Sequence, residues 1–442
     1  MDEDLIRQIL GRATADEPPL GPVVERAVTA GLRIRRRRRV TGAVSCFAVA
    51  AVVGGALVPM LGANRATPPA PLAGRSILGV RHGVTTSVPM LAPSPSQQQS
   101  WGAMGSPGAG ARLFVADPNT LTELDAATGA VLHRVSLKDD PGETFLATPG
   151  GSQVYAIDNE AGTVTPVSTA TGQVSQPILA GAQLTAAVMA PGGVLYLGLT
   201  DGRVMPVDTA TNTVGAPIET AGLGVASLVV TPDGRTVYAG SEGGTVVPIS
   251  TATNTAGKPV QVGGSLVTLA MAPDGTMVYA ASDAGSVTPI STVTNQPGKP
   301  IAVESSPHDI AITPDGASAY VLVTGSKSAA VIPVNLATRH VSKAIPVPGG
   351  ATTWVRAGPG SGIMYAGSYG GPVIPISTAT NQKGPYFGQD QAVSGISIAA
   401  DGQTVYACGL TGVMPVPTAT DVPGRPLTGA PGACLATILV TP

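Results

Sequence analysis

One aromatic residue returns at a nearly constant interval and fixes what this chain can fold into. Phe114, Tyr155, Tyr196, Tyr238, Tyr279, Tyr320, Tyr365 and Tyr406 are spaced by 41, 41, 42, 41, 41, 45 and 41 residues. A turn precedes most of them: TPDG ending at Gly234, APDG at Gly275, TPDG at Gly316. Proline presets φ and glycine accepts positive φ, so these are turn sequences. From residue 225, VASLVVT reads as a strand, PDG as a turn and TVYAGS as a second strand. TVVPIST is a third strand, ATNT a turn and KPVQV a fourth. Four short antiparallel strands in one period of this length make a β-propeller blade. A helical repeat would need a 3.6-residue pattern, and none is present. Composition agrees: 57 Gly and 41 Pro among many Val and Thr suit short strands and turns, and the 43% of hydrophobic residues is too high for a disordered chain.

The expected fold is therefore all-β, a propeller of four-stranded antiparallel blades over residues 110–442. Eight aromatics imply eight blades, with seven as the alternative if a divergent terminal unit is not a blade. The chain ends on ACLATILVTP, an innermost strand with nothing after it, and the first unit lacks its own innermost strand. The C-terminal strand can fill that place and close the ring, which removes the exposed edge of a linear array.

The repeat carries a puzzle. In VPISTATNTAGKPV (247–260) a proline stands in each arm of a hairpin. Pro259 suits an outer edge strand, where a missing N–H is harmless. Pro248 lies in a strand with neighbours on both sides, as do Pro166, Pro206, Pro289, Pro333, Pro375 and Pro415. It should cost a ladder hydrogen bond or mark a bulge. The expectation is a shortened third strand, fully paired only beyond the proline.

The N-terminal part is different in kind. Residues 1–39 hold nine Arg and six acids, +3, so the remaining residues carry −5 of the net −2. Residues 40–64 contain no charged side chain, and Arg35 to Arg39 stand directly before them. The run is long enough for a transmembrane helix, assigned to 40–62, and the flanking arginines put the N-terminus in the cytoplasm. A signal peptide is the rival reading, against which stand the long apolar run and the long segment before it. Residues 1–39 then form a cytoplasmic basic segment, and residues 63–109, rich in Pro, Ser, Gln and Gly, a stalk. The expected location is the cell membrane, single-pass, with the propeller outside.

The repeat V-x-P-[IV]-[SD]-T-A-T-N, followed by I-x-I-T-P-D-G-x-x-x-Y-V, resembles the YVTN-type β-propeller family over residues 110–442. It departs from that pattern where Y-V-x-N reads VYAGS or VYAAS. The resemblance implies the fold and hardly constrains function: relatives look like surface proteins, lactonases and quinoprotein or haem-dependent oxidoreductases.

Exceptions to the repeat are the candidates for chemistry. With the innermost strands aligned on their turns, most positions are small or apolar. Glu143, His308, Asp309, Trp354 and Arg356 are not, and four of them fall on two adjacent blades. They are read as a binding site at the channel mouth for a small polar or sugar-like ligand, against the plainer reading of loop residues with local partners. The four histidines, His82, His133, His308 and His340, are too scattered to hold a metal. No GxSxG, HExxH or P-loop occurs, so no catalytic residue, metal or cofactor is assigned. Cys408 and Cys434 are candidates for a disulfide that pins the closing strand. The near-neutral charge gives no reason to expect nucleic acid. The functional expectation is a membrane-anchored extracytoplasmic module that binds or scaffolds a protein, glycan or small ligand. The alternatives are a lactonase-like hydrolase and a signalling ectodomain whose cytoplasmic tail docks a partner.

Overall fold

The computed structural model describes residues 111–440 apart from short stretches such as 138–143 and 348–352. The basic segment, the 40–62 run and the stalk lie outside the described residues, and no helix occurs among the described ones. The described residues all fall in one compact unit, Val84–Pro442.

Eight antiparallel sheets follow one another along the chain. Each is one blade, numbered here in chain order. Blade 1 contains Arg112–Asp117, Thr120–Asp125 and Val131–Ser136, and its innermost strand is the C-terminal Ala436–Val440. Blades 2 to 8 begin at Thr144, Leu184, Val225, Leu266, Ser306, Thr353 and Gly395. The closing strand lies beside the innermost strands of blades 8 and 2, so the ring is complete.

The hydrophobic core is divided in the same way. Buried side chains form eight clusters, each drawn mainly from two consecutive blades. Eight seams for eight blades settle the blade number and exclude seven. Each seam buries a repeat aromatic, and Tyr155, Tyr196 and Tyr365 have no exposed surface at all. Full burial of such a ring contributes about 1.5–3 kcal/mol.

The T-A-T-N motif is explained by these seams. Asn212, Asn254, Asn295 and Asn381 sit in the left-handed backbone region, with φ between 52° and 56°. Asparagine tolerates that conformation. Its side chain also reaches the preceding blade: Tyr155 donates to Asn212 Oδ1 at 2.6 Å and Tyr196 to Asn254 Oδ1 at 2.7 Å. Tyr238 donates to Asn295 Oδ1 at 2.8 Å, and Tyr320 to Asn381 Oδ1 at 2.6 Å. Desolvation pushes the Tyr155, Tyr238 and Tyr320 hydroxyls up to about 12, so they remain neutral donors. The first threonine of the motif ties two turns of its own blade together, as when Thr251 Oγ1 donates to Gly234 O at 2.7 Å.

The expected shortening of the third strand does not occur. Thr245–Ser250 pairs with Thr236–Ser241 over all six residues, with Pro248 opposite Tyr238. The cost falls on the outer strand. Pro248 O accepts from Gly257 N at 2.7 Å, so its backbone nitrogen also points outward, because N and O of one strand residue share a side. There the outer strand is broken into Thr255–Ala256 and Val260–Gln261, and no N–H is missed. The proline is directed at a gap in its neighbour.

Candidate functional site

The innermost strand of blade 6, Ser306–Ile312, slips register between Pro307 and Asp309, which makes His308 an extra bulged residue. Thr185, Ala226 and Val267 occupy the same bulge in blades 3, 4 and 5. These four are partly exposed between buried neighbours. The innermost strand borders the ring axis, so His308 brings one imidazole to a wall of otherwise small or apolar bulge residues. Burial holds its pKa below the usual histidine value.

Asp309 faces the other way. It is buried, and its Oδ1 accepts from Ile310 N at 2.9 Å. Oδ2 accepts from Val355 N at 3.1 Å and from Arg356 Nη1 at 2.9 Å, both in the innermost strand of blade 7. Arg356 is also buried and donates to Val355 O at 2.8 Å. Desolvation pushes the Asp309 carboxyl up to about 6, opposed by the Arg356 charge and the two backbone N–H groups. The regular blades show what this position does. In blade 4 the equivalent Ser227 accepts from Leu269 N of blade 5 at 3.1 Å. Asp309 is therefore an inter-blade staple turned into a buried ion pair.

Three of the five residues read as a channel mouth, Asp309, Trp354 and Arg356, are buried. Trp354 is 3% exposed and packs in the seam between blades 7 and 8 with Tyr365, Phe387 and Ile396. Gly367 opposite it leaves the room, since a Cβ there would meet Trp354 Cζ2 at 2.5 Å. Among the described residues its indole Nε1 has no hydrogen-bond partner, and its ring lies 5.8 Å from the Arg356 guanidinium carbon. Asp309, Trp354 and Arg356 are brought together, but inside the wall. Of the four described residues of that set, His308 is the one left partly exposed. Glu143 lies outside the described residues.

A second polar cluster escaped notice in the sequence. In blade 1 the repeat tyrosine is Phe114, and the residue paired with it, where other blades have proline, is Glu123. Glu123 is 2% exposed. Its Oε1 accepts from Arg112 Nη1 at 2.7 Å, and its Oε2 lies 2.8 Å from His133 Nδ1. Arg112 Nη1 also donates to Thr169 O of blade 2 at 2.6 Å. Gly172 fills the asparagine place of blade 2 and lies against the His133 ring. The available signal was a glutamate standing in the proline column.

Cys408 and Cys434 are joined, with Cα atoms 5.3 Å apart and a sequence separation of 26. The bond links the second strand of blade 8 to the entry of the closing strand. Ser394 Oγ lies 3.2 Å from both Cys408 O and Cys434 O, within reach to donate its one proton to either. Among the described residues no three His, Cys, Asp or Glu converge as a metal ion would require.

The family described as outer membrane protein assembly factor BamB matches residues 85–297, a little under half of the chain. Its repeat and this one are similar. Hydrazine synthase of Kuenenia stuttgartiensis superposes with a TM-score of 0.53 at 18% identity, over 63% of this chain and 96% of that one. Dihydro-heme d1 dehydrogenase NirN in complex with DHE superposes with a TM-score of 0.64 at 14% identity, over 76% of each chain. At such identity the likeness shows the propeller fold alone. No curated protein matches.

Proposed function

We propose that this chain is a membrane-anchored propeller, displayed outside the cytoplasm, that binds or scaffolds another envelope component. The observation that carries the reading is how the polar groups are spent. Asp309, Arg356 and Glu123 are buried, and each is held by partners in its own or the next blade. They secure seams and leave His308 as the open polar group among the described residues of the candidate site. A lone imidazole among small and apolar bulge residues suits contact with a partner better than acid–base chemistry, which pairs such a base with a second polar group that orients it or acts on the substrate. The arginine run before residues 40–62 supports the anchor. The matched family, described as an outer membrane protein assembly factor, supports a scaffolding role. The V-x-P-[IV]-[SD]-T-A-T-N repeat keeps the YVTN-type propellers as the finer comparison.

The test is site-specific photo-crosslinking of the full chain in intact envelopes. A crosslinking residue at position 308 should capture one envelope component that the same residue at position 258, on the outer edge, does not. Lactone hydrolysis by the purified full chain that is lost in His308→Ala would overturn the reading in favour of a hydrolase.

A further inference from the structure

One backbone bond recurs on the outer edge of the blades and fixes the residue after it. Gly257 N donates to Pro248 O, Gly298 N to Pro289 O, Ser342 N to Pro333 O and Gly424 N to Pro415 O, at 2.7–2.8 Å. The next residue stands mid-edge, as Lys258 does between Thr255–Ala256 and Val260–Gln261. In blades 4, 5, 6 and 8 that residue is Lys258, Lys299, Lys343 and Arg425, and all four are exposed. Blade 7 has Lys383 just ahead of the bonded Gly384. The same place in blades 2 and 3, after Ser175 and Gly215, holds the neutral Gln176 and Ala216. Arg339 adds a sixth cation in the turn of blade 6, and its Nη2 would lie 3.7 Å from a Cβ on Gly298, the residue before Lys299. Lys383 Nζ reaches back to Pro346 O of blade 6 at 3.5 Å. Blade 1 follows with Arg134, which donates to Gly429 O of blade 8 at 3.4 Å.

These cations are segregated and uncompensated. The edge stretches of blades 4 to 8 (251–261, 292–302, 336–347, 378–388 and 418–429) hold six Lys or Arg and one acid, the partly buried Asp421. The chain beyond residue 39 carries −5, so the belt is no product of a basic composition. Among the described residues none of the six forms an ion pair. The aspartates of the PDG turns are spent on their own turns: Asp233 accepts from Thr231 Oγ1 and Asp315 from Thr313 Oγ1, both at 2.6 Å. Like charges set along one edge repel until an anion lies across them. The shape of the belt selects that anion. Lys258 and Arg425 are four blades apart in a ring of eight, on opposite sides of it, so no flat surface meets both. A flexible chain that follows the rim does. Between the cations stand exposed Thr253, Thr255, Gln296 and Gln382, hydroxyl and amide groups that suit a partner bearing hydroxyls as well as charge. We propose that the outer rim of blades 4 to 8 binds an acidic polysaccharide, a linear chain of sugar carboxylates laid along the edge. This surface is separate from the bulge wall that carries His308.

Titration of the full chain in detergent micelles with polygalacturonate tests this. Binding should weaken as salt rises. Lys258→Gln with Lys299→Gln, and Gln176→Glu with Ala216→Glu, change the net charge by the same amount at exposed positions of different blades. The first pair should weaken binding at least about fivefold. The second should leave it within about twofold, because it lies off the belt. Lys343→Gln with Arg425→Gln repeats the measurement on the other half of the belt and serves if the first pair does not fold. Equal losses from the on-belt and off-belt pairs, or no binding by the unaltered chain, overturn the proposal. So does equal binding of poly-L-glutamate, which has the carboxylates without the sugar hydroxyls, or of anionic phospholipid vesicles. His308→Ala should leave polygalacturonate binding unchanged, so that the rim and the candidate site fail separately; loss of binding in that variant would put the polymer at the ring axis and overturn the assignment to the rim.

Discussion

The seam between blades 4 and 5 and the seam between blades 1 and 2 solve one problem with different chemistry. In the first, Tyr238 donates to Asn295 Oδ1 at 2.8 Å and approaches Thr292 O at 3.4 Å. In the second, the tyrosine is Phe114 and the asparagine is Gly172, so donor and acceptor have vanished together. Arg112 takes over the bond to the equivalent threonine carbonyl, Thr169 O, and Glu123 balances its charge. The seam between blades 6 and 7 carries both kinds, Tyr320 to Asn381 and Asp309 to Arg356. A neutral seam is indifferent to pH and salt, whereas a charged one is not. Removing one member of a buried charged pair also strands the other.

The largest effect expected from that contrast is at Asp309. Asp309→Ala leaves the Arg356 guanidinium buried without its carboxylate, and should cost about 3–5 kcal/mol. Ser227→Ala at the equivalent neutral staple should cost only about 1 kcal/mol. Chemical denaturation of both variants checks the difference; equal losses would break the contrast. The same carboxyl gives a pH signature. It titrates at about 6 when folded, above its ordinary value of 3.8, so folding takes up a proton in that window. The stability contributed by this group is therefore present below about pH 4 and lost as pH rises towards 6. Asp309→Asn should flatten this part of the stability profile, and a profile unchanged by the substitution would remove the assignment.

Next comes the covalent link. Cys408→Ser with Cys434→Ser opens a loop of 26 residues at the ring closure and should cost about 3 kcal/mol. Limited proteolysis should then cut near the closing strand first, as the seam between blades 8 and 1 loses its tether. Glu123→Ala should follow at about 2 kcal/mol. The discount reflects Arg112 and His133, whose side chains are 37% and 36% exposed and can find water when the carboxylate goes. Thermal melts at low and high salt separate this variant from a neutral one: the wild-type seam should weaken with salt and the Glu123→Ala seam should not.

Much of this architecture was legible because the repeat states it many times. The recurring aromatic, the PDG turns and the bare innermost place in the first unit led to a propeller closed by its last strand, and the eight core seams agree. What one sequence could not show was direction. Trp354 and Asp309 align with channel-facing positions, but alternate strand residues point to opposite sides, and a single bulge at His308 resets which side that is. Pro248 misled for a related reason: the side of its missing N–H depends on pairing, not on residue type. Glu123 was hidden because its meaning lies in what it replaces.

The smallest effects test the comparison most closely. Tyr238→Phe removes one seam hydroxyl and leaves Asn295 Oδ1 without its donor, for a loss of about 1–2 kcal/mol. The reverse exchange, Phe114→Tyr with Gly172→Asn, writes the regular pair into the charged seam. Gly172 already has φ +67°, a region asparagine accepts, but its new Cβ would lie 3.3 Å from the His133 ring. His133 is partly exposed and has room to withdraw, which frees one side of Glu123. The double variant should therefore fold with stability within about 1 kcal/mol of wild type, while each single change costs more, and a double-mutant cycle reads that coupling. Additive losses would mean that the Phe114–Gly172 pairing is unrelated to the Tyr–Asn latch, and that Arg112 holds its seam for reasons of its own.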